Sequence, residues 1–112
     1  MAIYANLTVD QGSDFLYAFI IEDTTGNAKN ITDYTLRGQV RKTYSSSTAT
    51  DFTITATDAT AGKIDIELTA TNTAAMKAGR YVYDVEIEST GGEITRVIEG
   101  QLEVTPRVTR TS

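Results

Sequence analysis

Hydrophobic and polar residues alternate with a period of two along most of this chain, and the alternation runs longest between Gly79 and Val104. There Tyr81, Tyr83, Val85 and Ile87 share one parity, while Val82, Asp84, Glu86 and Glu88 share the other. That is the pattern of a strand with one side in a core and one in water. Ser89-Thr90-Gly91-Gly92 predicts a turn, since paired glycines take the positive φ values of hairpin connections. Ile94, Ile98, Leu102 and Val104 then return on one face. Pairing Glu88 with Glu93 sets Ile87 against Ile94, Tyr83 against Ile98, and Tyr81 over Gly100, where an aromatic ring stiffens a strand glycine. One conflict remains in this register: Val85 meets Arg96 on the inner face while Val97 points out. A β-bulge near Thr95–Val97, or an arginine whose head snorkels to water, resolves it.

The remaining segments follow the same rule. Ile3 to Val9 alternates as a first strand and Asp10-Gln11-Gly12-Ser13 turns the chain. Asp14 to Ile21 has Phe15, Tyr17, Phe19 and Ile21 on one face, and its other face, Leu16, Ala18 and Ile20, is also apolar. A strand apolar on both sides is covered on both sides. The cover is either a layer of the chain's own loops or a partner docking on Leu16 and Ile20. Residues 22–33 form a polar excursion with its tightest turn at Thr25-Gly26-Asn27. Tyr34 to Lys42 resumes a strand with Leu36 and Val40 inward and Arg37, Gln39 and Arg41 outward. Residues 43–49 read as a loop, Asp51 to Thr57 as a strand with Phe52, Ile54 and Ala56 on one face, and Lys63 to Thr69 as a strand with Ile64, Ile66 and Leu68 inward. Thr71 to Lys77 is the helical candidate, with Thr71 or Thr73 as N-cap and Gly79 as its stop, too short to stand alone and read as a crossover between sheets. The sum is about seven short strands closed by a hairpin, which predicts an all-β, immunoglobulin-like β-sandwich of antiparallel strands over residues 1–104, with a tail over 105–112. A small barrel is the second arrangement the pattern allows.

Composition narrows the function classes. The net charge of −5 disfavours phosphate-neutralising contact with nucleic acid. The longest apolar run, Phe15 to Ile21, is far too short to cross a bilayer, and the N-terminal residues lack the pattern of a signal peptide. With no histidine and no cysteine, Ser–His–Asp and Cys–His nucleophilic systems and imidazole or thiolate zinc sites are excluded. Asp65 with Glu67, or Asp84 with Glu86 and Glu88, sets carboxylates two residues apart on a strand, roughly 6.5–7 Å, near the spacing of glycosidases. The same acids, or Glu22 with Asp23, offer oxygen ligands to calcium, though no EF-hand loop pattern accompanies them. Alternating acids on a strand are ordinarily its solvated side, so neither catalysis nor a cofactor is expected. Tyr4 and Tyr44 lie off the core parity and are candidates for a carbohydrate or subunit surface. Arg107 and Arg110 make a small basic end on an acidic chain, either a disordered terminus or an arm docking on an acidic neighbour.

Two stretches carry a family resemblance. In the front half Gly12, Phe15, Asp23, Gly26, Ile31-Thr32, Tyr34, Arg37, Gln39 and Arg41 stand in YANLTVDQGSDFLYAFIIEDTTGNAKNITDYTLRGQVRKTY. In the back half Gly79, Tyr81, Tyr83-Asp84, Glu86, Arg96, Ile98, Gly100, Val104 and Pro106 stand in AGRYVYDVEIESTGGEITRVIEGQLEVTPRVTR. Together they resemble short virion proteins of tailed bacteriophages, and the N-terminal, immunoglobulin-like domain of phage baseplate upper proteins. The resemblance covers nearly the whole chain, and its motifs mark turns and core strands, so it transfers no catalytic residue. It implies a non-enzymatic structural protein of the virion, in the tail, baseplate or neck. Such a protein binds other virion proteins and copies of itself, with no nucleic acid and no membrane. Because the longer relatives carry downstream receptor-binding or trimerisation domains, an accessory or connector role is expected here. Leu16, Ile20, Tyr4, Tyr44, Arg107 and Arg110 are the candidate contacts. A capsid decoration protein and a carbohydrate-binding adhesion module are the alternatives.

Overall fold

The longest alternation in the sequence becomes the longest ladder of the structure. The computed structural model describes residues 3–108. Among them lie strands β1 (Ile3–Tyr4), β2 (Leu7–Asp10), β3 (Phe15–Ile20), β4 (Thr35–Arg41), β5 (Thr50–Asp51), β6 (Thr53–Asp58), β7 (Lys63–Leu68), β8 (Gly79–Glu88) and β9 (Ile94–Thr105). A five-residue helix, α1 (Ala70–Ala74), links β7 to β8. The larger sheet runs β1/β2–β9–β8–β4–β5 and the smaller β3–β7–β6. Their inner faces meet in an all-β sandwich: Val40, Tyr83, Val85, Ile87, Ile98, Leu102 and Val104 from one sheet pack against Ile64, Ile66 and Leu68 from the other, each at most 4 % exposed. Each such aliphatic side chain contributes about 1.5–3 kcal/mol by leaving water.

The β8–β9 hairpin carries the expected bulge, between Val85 and Glu86 on β8 and opposite Arg96 to Ile98 on β9. Its register differs from the expectation by one residue at the turn. Ser89 N–H donates to the Glu93 carbonyl at 2.9 Å, so Ser89 and Glu93 close the turn, and Gly92 takes φ 90° within it. Glu88 therefore faces Ile94 and Ile87 faces Thr95, which turns Ile94 outward, against its expected place in the core. The bulge adds a second residue of offset, so Tyr83, not Tyr81, sits over Gly100, and both Val97 and Ile98 are buried. Arg96 is thereby placed in solvent.

Three further corrections concern connectivity. The first strand is broken at Ala5-Asn6 into β1 and β2, and both halves pair with β9 in parallel, not antiparallel. The strand expected from Asp51 to Thr57 changes sheets at Phe52: β5 pairs with β4, β6 with β7, and Phe52 N–H donates to the Gly38 carbonyl at 3.0 Å between them. The helix begins one residue before the expected stretch, with Thr69 and not Thr71 or Thr73 as N-cap, in a reciprocal capping box with Asn72. Ala75 is its C-cap, and Gly79 instead opens β8. As expected, it is a crossover between the sheets. Buried Thr73 holds it, donating through its hydroxyl to the Ser13 carbonyl at 2.8 Å and accepting from Gly12 N–H at 3.0 Å.

Candidate functional site

Outward side chains of β4, β8 and β9 form a polar tread across the larger sheet. The ladder pairs Arg37 with Glu86 and Glu86 with Arg96 in one row, and Gln39 with Asp84 and Asp84 with Glu99 in the next. That second row continues to Asp51 on β5 and Tyr4 on β1. Arginines knit the rows together. Arg37 reaches Glu86 at 2.6 Å and Glu88 at 2.8 Å, while Arg96 reaches Asp84 at 3.3 Å and Glu99 at 3.2 Å. Arg41 donates to Gln39 at 2.9 Å and to the Ser46 carbonyl at 2.5 Å, and Gln39 donates to Asp51 at 2.8 Å. A shallow open groove of about 620 Å³ follows β4 here between Leu36 and Arg41.

Electrostatics differ along the tread. The Arg37 guanidinium is raised further by its hydrogen bonds to Glu86 and Glu88. Asp84 is raised above the ordinary carboxylate range, first by partial burial and then by Glu86 and Glu99, against which Arg96 pulls the other way. Of the acids considered for catalysis or calcium, Asp84, Glu86 and Glu88 are engaged by arginine on this face while Asp65 and Glu67 lie on β7 of the other sheet, and among the described residues no three acidic side chains converge as a metal cluster. Asp23 is held below its ordinary value by Thr25, whose hydroxyl and backbone N–H donate to it at 2.6 and 2.9 Å, and by the Asn27 N–H. Its carboxylate is the staple of the 23–27 turn.

The candidate contacts do not converge on one place. Tyr4 (66 % exposed) stands at the β1 rim of the tread, and Tyr44 (83 % exposed) stands beside Arg41 on the loop at the far side. Two of that loop's three serines tighten it through Thr43, whose N–H donates to Ser46 Oγ at 3.2 Å and whose hydroxyl bonds with Ser45 Oγ at 3.4 Å. Leu16 and Ile20 lie on the outer face of the smaller sheet, 56 % and 45 % exposed. Among the described residues no loop of the chain covers them, against the first of the two expectations; Glu67 and Lys63 of β7 flank them instead. Arg107 packs its guanidinium over Gly12, its N–H donating to Gln11 Oε1 at 3.4 Å, and Gln11 N–H donates to the Thr105 carbonyl at 3.0 Å. The start of the tail is therefore docked on the β2–β3 turn of its own chain. Arg110 lies outside the described residues.

Sequence reasoning had put Arg37, Gln39 and Arg41 outward, and Asp84, Glu86 and Glu88 outward, without joining them. The signal that unites them is long-range, the β4–β8 pairing, which opposite charges at matching register positions would have favoured.

No family model and no curated protein sequence matches the chain. In fold it is similar to the N-terminal domain of phage TP901-1 ORF48, with a TM-score of 0.57 and 12 % identity over 90 % of this chain and 85 % of that one. It is also similar to the SrpA adhesin R347E mutant from Streptococcus sanguinis, with a TM-score of 0.54 and 9 % identity over 100 % of this chain and 59 % of that one. At such identities the likeness is one of fold.

Proposed function

We propose that this chain is a non-enzymatic structural module of a tailed-phage virion, binding other virion proteins by surface complementarity in the tail, baseplate or neck. The observation that carries the reading is the near whole-for-whole correspondence with a phage domain, 90 % of one chain against 85 % of the other. The front and back motifs of the sequence add to it. Strand order lends support to the immunoglobulin-like form of the sandwich: β9–β8–β4 follows the G–F–C order and β3–β7–β6 the B–E–D order, while the first strand joins the β9 edge and not β3. The rigid block presents a charged tread on one face and an apolar strip on the other, two chemically distinct surfaces of the kind a connector uses. Mass spectrometry of purified particles of the phage that encodes the chain, split into heads and tails, tests the reading. The chain is expected in the tail fraction. Recovery with heads alone supports capsid decoration instead, and absence from particles overturns both.

A second reading, a carbohydrate-binding adhesion module, is favoured by one feature: a groove of guanidinium and carboxylate groups with exposed Tyr44 on its rim. Planar polar groups with an aromatic platform suit sugar recognition. Glycan-array binding abolished by Tyr44→Ala supports that reading, and an array without signal removes it.

A further inference from the structure

Of the four sheet edges, three are blunted. β5 has two residues, β1/β2 is broken at Ala5-Asn6, and β6 alternates threonines and ends in a bulge between Ala56 and Asp58. β3 has none of these devices. Its six residues run in unbroken register with β7, from Phe15 opposite Leu68 to Ile20 opposite Lys63, without a charge, a proline or a bulge. Among the described residues, its only hydrogen-bonded strand neighbour is β7, and no loop or side chain bonds to its free edge. A flat, uncharged edge of this kind is a template for another strand.

We infer that the β3 edge pairs antiparallel with β3 of a second copy, about a two-fold axis through Ala18. The case for a copy is the near-palindrome of the strand itself. Centred on Ala18, Tyr17 meets Phe19 of the other copy, Leu16 meets Ile20, and Phe15 meets Ile21. Sliding by one residue sets the outer residues of one copy beside the core-facing residues of the other, so the two sheets no longer share an inner face. Moving the axis to Tyr17 sets Ile20 against Asp14, and moving it to Phe19 sets Leu16 against Glu22, so only the Ala18 axis pairs every outer residue of β3 with another of β3, with Asp14 opposite Glu22 just beyond the strand ends. In a chain of net charge −5 the β3 strand itself is uncharged; about this axis the outer rows run Glu67–Leu16–Ile20–Lys63, with an acid at one end and a base at the other, and Asp65–Ala18–Ala18–Asp65 at the centre. Six paired residues bury less than a standard interface, so the dimer is weak and concentration-dependent, of the transient class. The inference does not rest on the virion reading.

Sedimentation of the full chain from about 10 μM to about 1 mM, with Ala18→Lys, Ala18→Glu and their equimolar mixture, tests it. Ala18 is exposed, so either variant is tolerated in the monomer, which far-ultraviolet circular dichroism checks. The wild type is expected to pass from monomer to dimer. Each variant alone places like charges face to face on the axis and weakens association about tenfold or more. The mixture restores a mixed dimer, because opposite charges then meet. Should either charge disturb the strand, the pair Leu16→Thr with Ile20→Thr keeps β-forming side chains and is expected to weaken the dimer too. A wild type that stays monomeric throughout, a dimer indifferent to Ala18→Lys, or folded variants whose mixture stays monomeric overturns the inference. The first of these results leaves the edge to a strand of a different protein.

Discussion

The edge of β9 and the edge of β3 begin with the same liability, a row of unpaired backbone groups, and the chain treats them in opposite ways. At β9 the N-terminal segment lies alongside in parallel, Ile3 opposite Ile98 and Leu7 opposite Leu102. Closing that seam takes dedicated residues. Ala5 bends so near β9 that a Cβ on Gly100 would stand 2.1 Å from its carbonyl oxygen. The Tyr83 hydroxyl donates to that same oxygen at 2.5 Å, and Asn6 Oδ1 accepts from Gln101 N–H at 3.2 Å where the ladder is interrupted. Burial pushes the Tyr83 phenol well above its ordinary pKa, so it remains a donor. At β3 nothing comparable is found among the described residues. A covered edge shows itself by residues with no other use, and an open one by the lack of protection.

Changes at Gly100 break this contrast most severely. Gly100→Val drives side-chain carbons into the Ala5 backbone, and urea unfolding is expected to show a loss of about 3 kcal/mol or more; a loss below about 0.5 kcal/mol would mean the seam is not closed as described. Next comes Tyr83→Phe, which removes one hydrogen bond to Ala5 and leaves the ring in place, for a loss of about 1 kcal/mol at unchanged m-value. Smaller still is Asp84→Asn on the tread beside the seam. Because the folded state disfavours the Asp84 carboxylate, the wild type loses stability as pH rises from the unfolded value of 3.8 through the raised folded one. Thermal melts should therefore find the asparagine variant at least as stable at neutral pH, with the difference fading as pH falls below 3.8. Leu16→Ser on the open strip sets the lower end: its unfolding free energy stays within about 0.5 kcal/mol of wild type, while light scattering of concentrated samples falls. A large loss of monomer stability there would show that Leu16 is covered after all.

Local alternation made the hairpin, the bulge near residues 95–97, the Ile64–Ile66–Leu68 core face and the crossover nature of the 71–77 stretch legible. The exposure of Tyr4 and Tyr44 was legible too, whereas the pattern left Leu16 and Ile20 open between cover by the chain's own loops and a partner, and their exposure removes the first. Burial of Ile31 was not legible, since it sits in a polar excursion and joins the core, 2 % exposed, only because the fold brings its N–H to the Ala59 carbonyl at 2.8 Å and its side chain into the common cluster. Nor was the outward turn of Ile94, because a one-residue difference in how Ser89 and Glu93 close the turn reverses the face of everything next to it.

The sequence by itself determined that the chain is an all-β protein, which side of most strands faces the core, and that histidine and cysteine chemistry is excluded. Those properties are written in period-two patterning and composition, which need no partner to be read. Tertiary structure decided which strands are neighbours: that β1 and β2 join β9 in parallel, that Phe52 switches sheets, that arginines of β4 and β9 meet the acids of β8, and that β3 keeps a free edge. Pairing couples residues up to about ninety positions apart, such as Leu7 with Leu102, and no local pattern records a choice among strands whose faces all look alike.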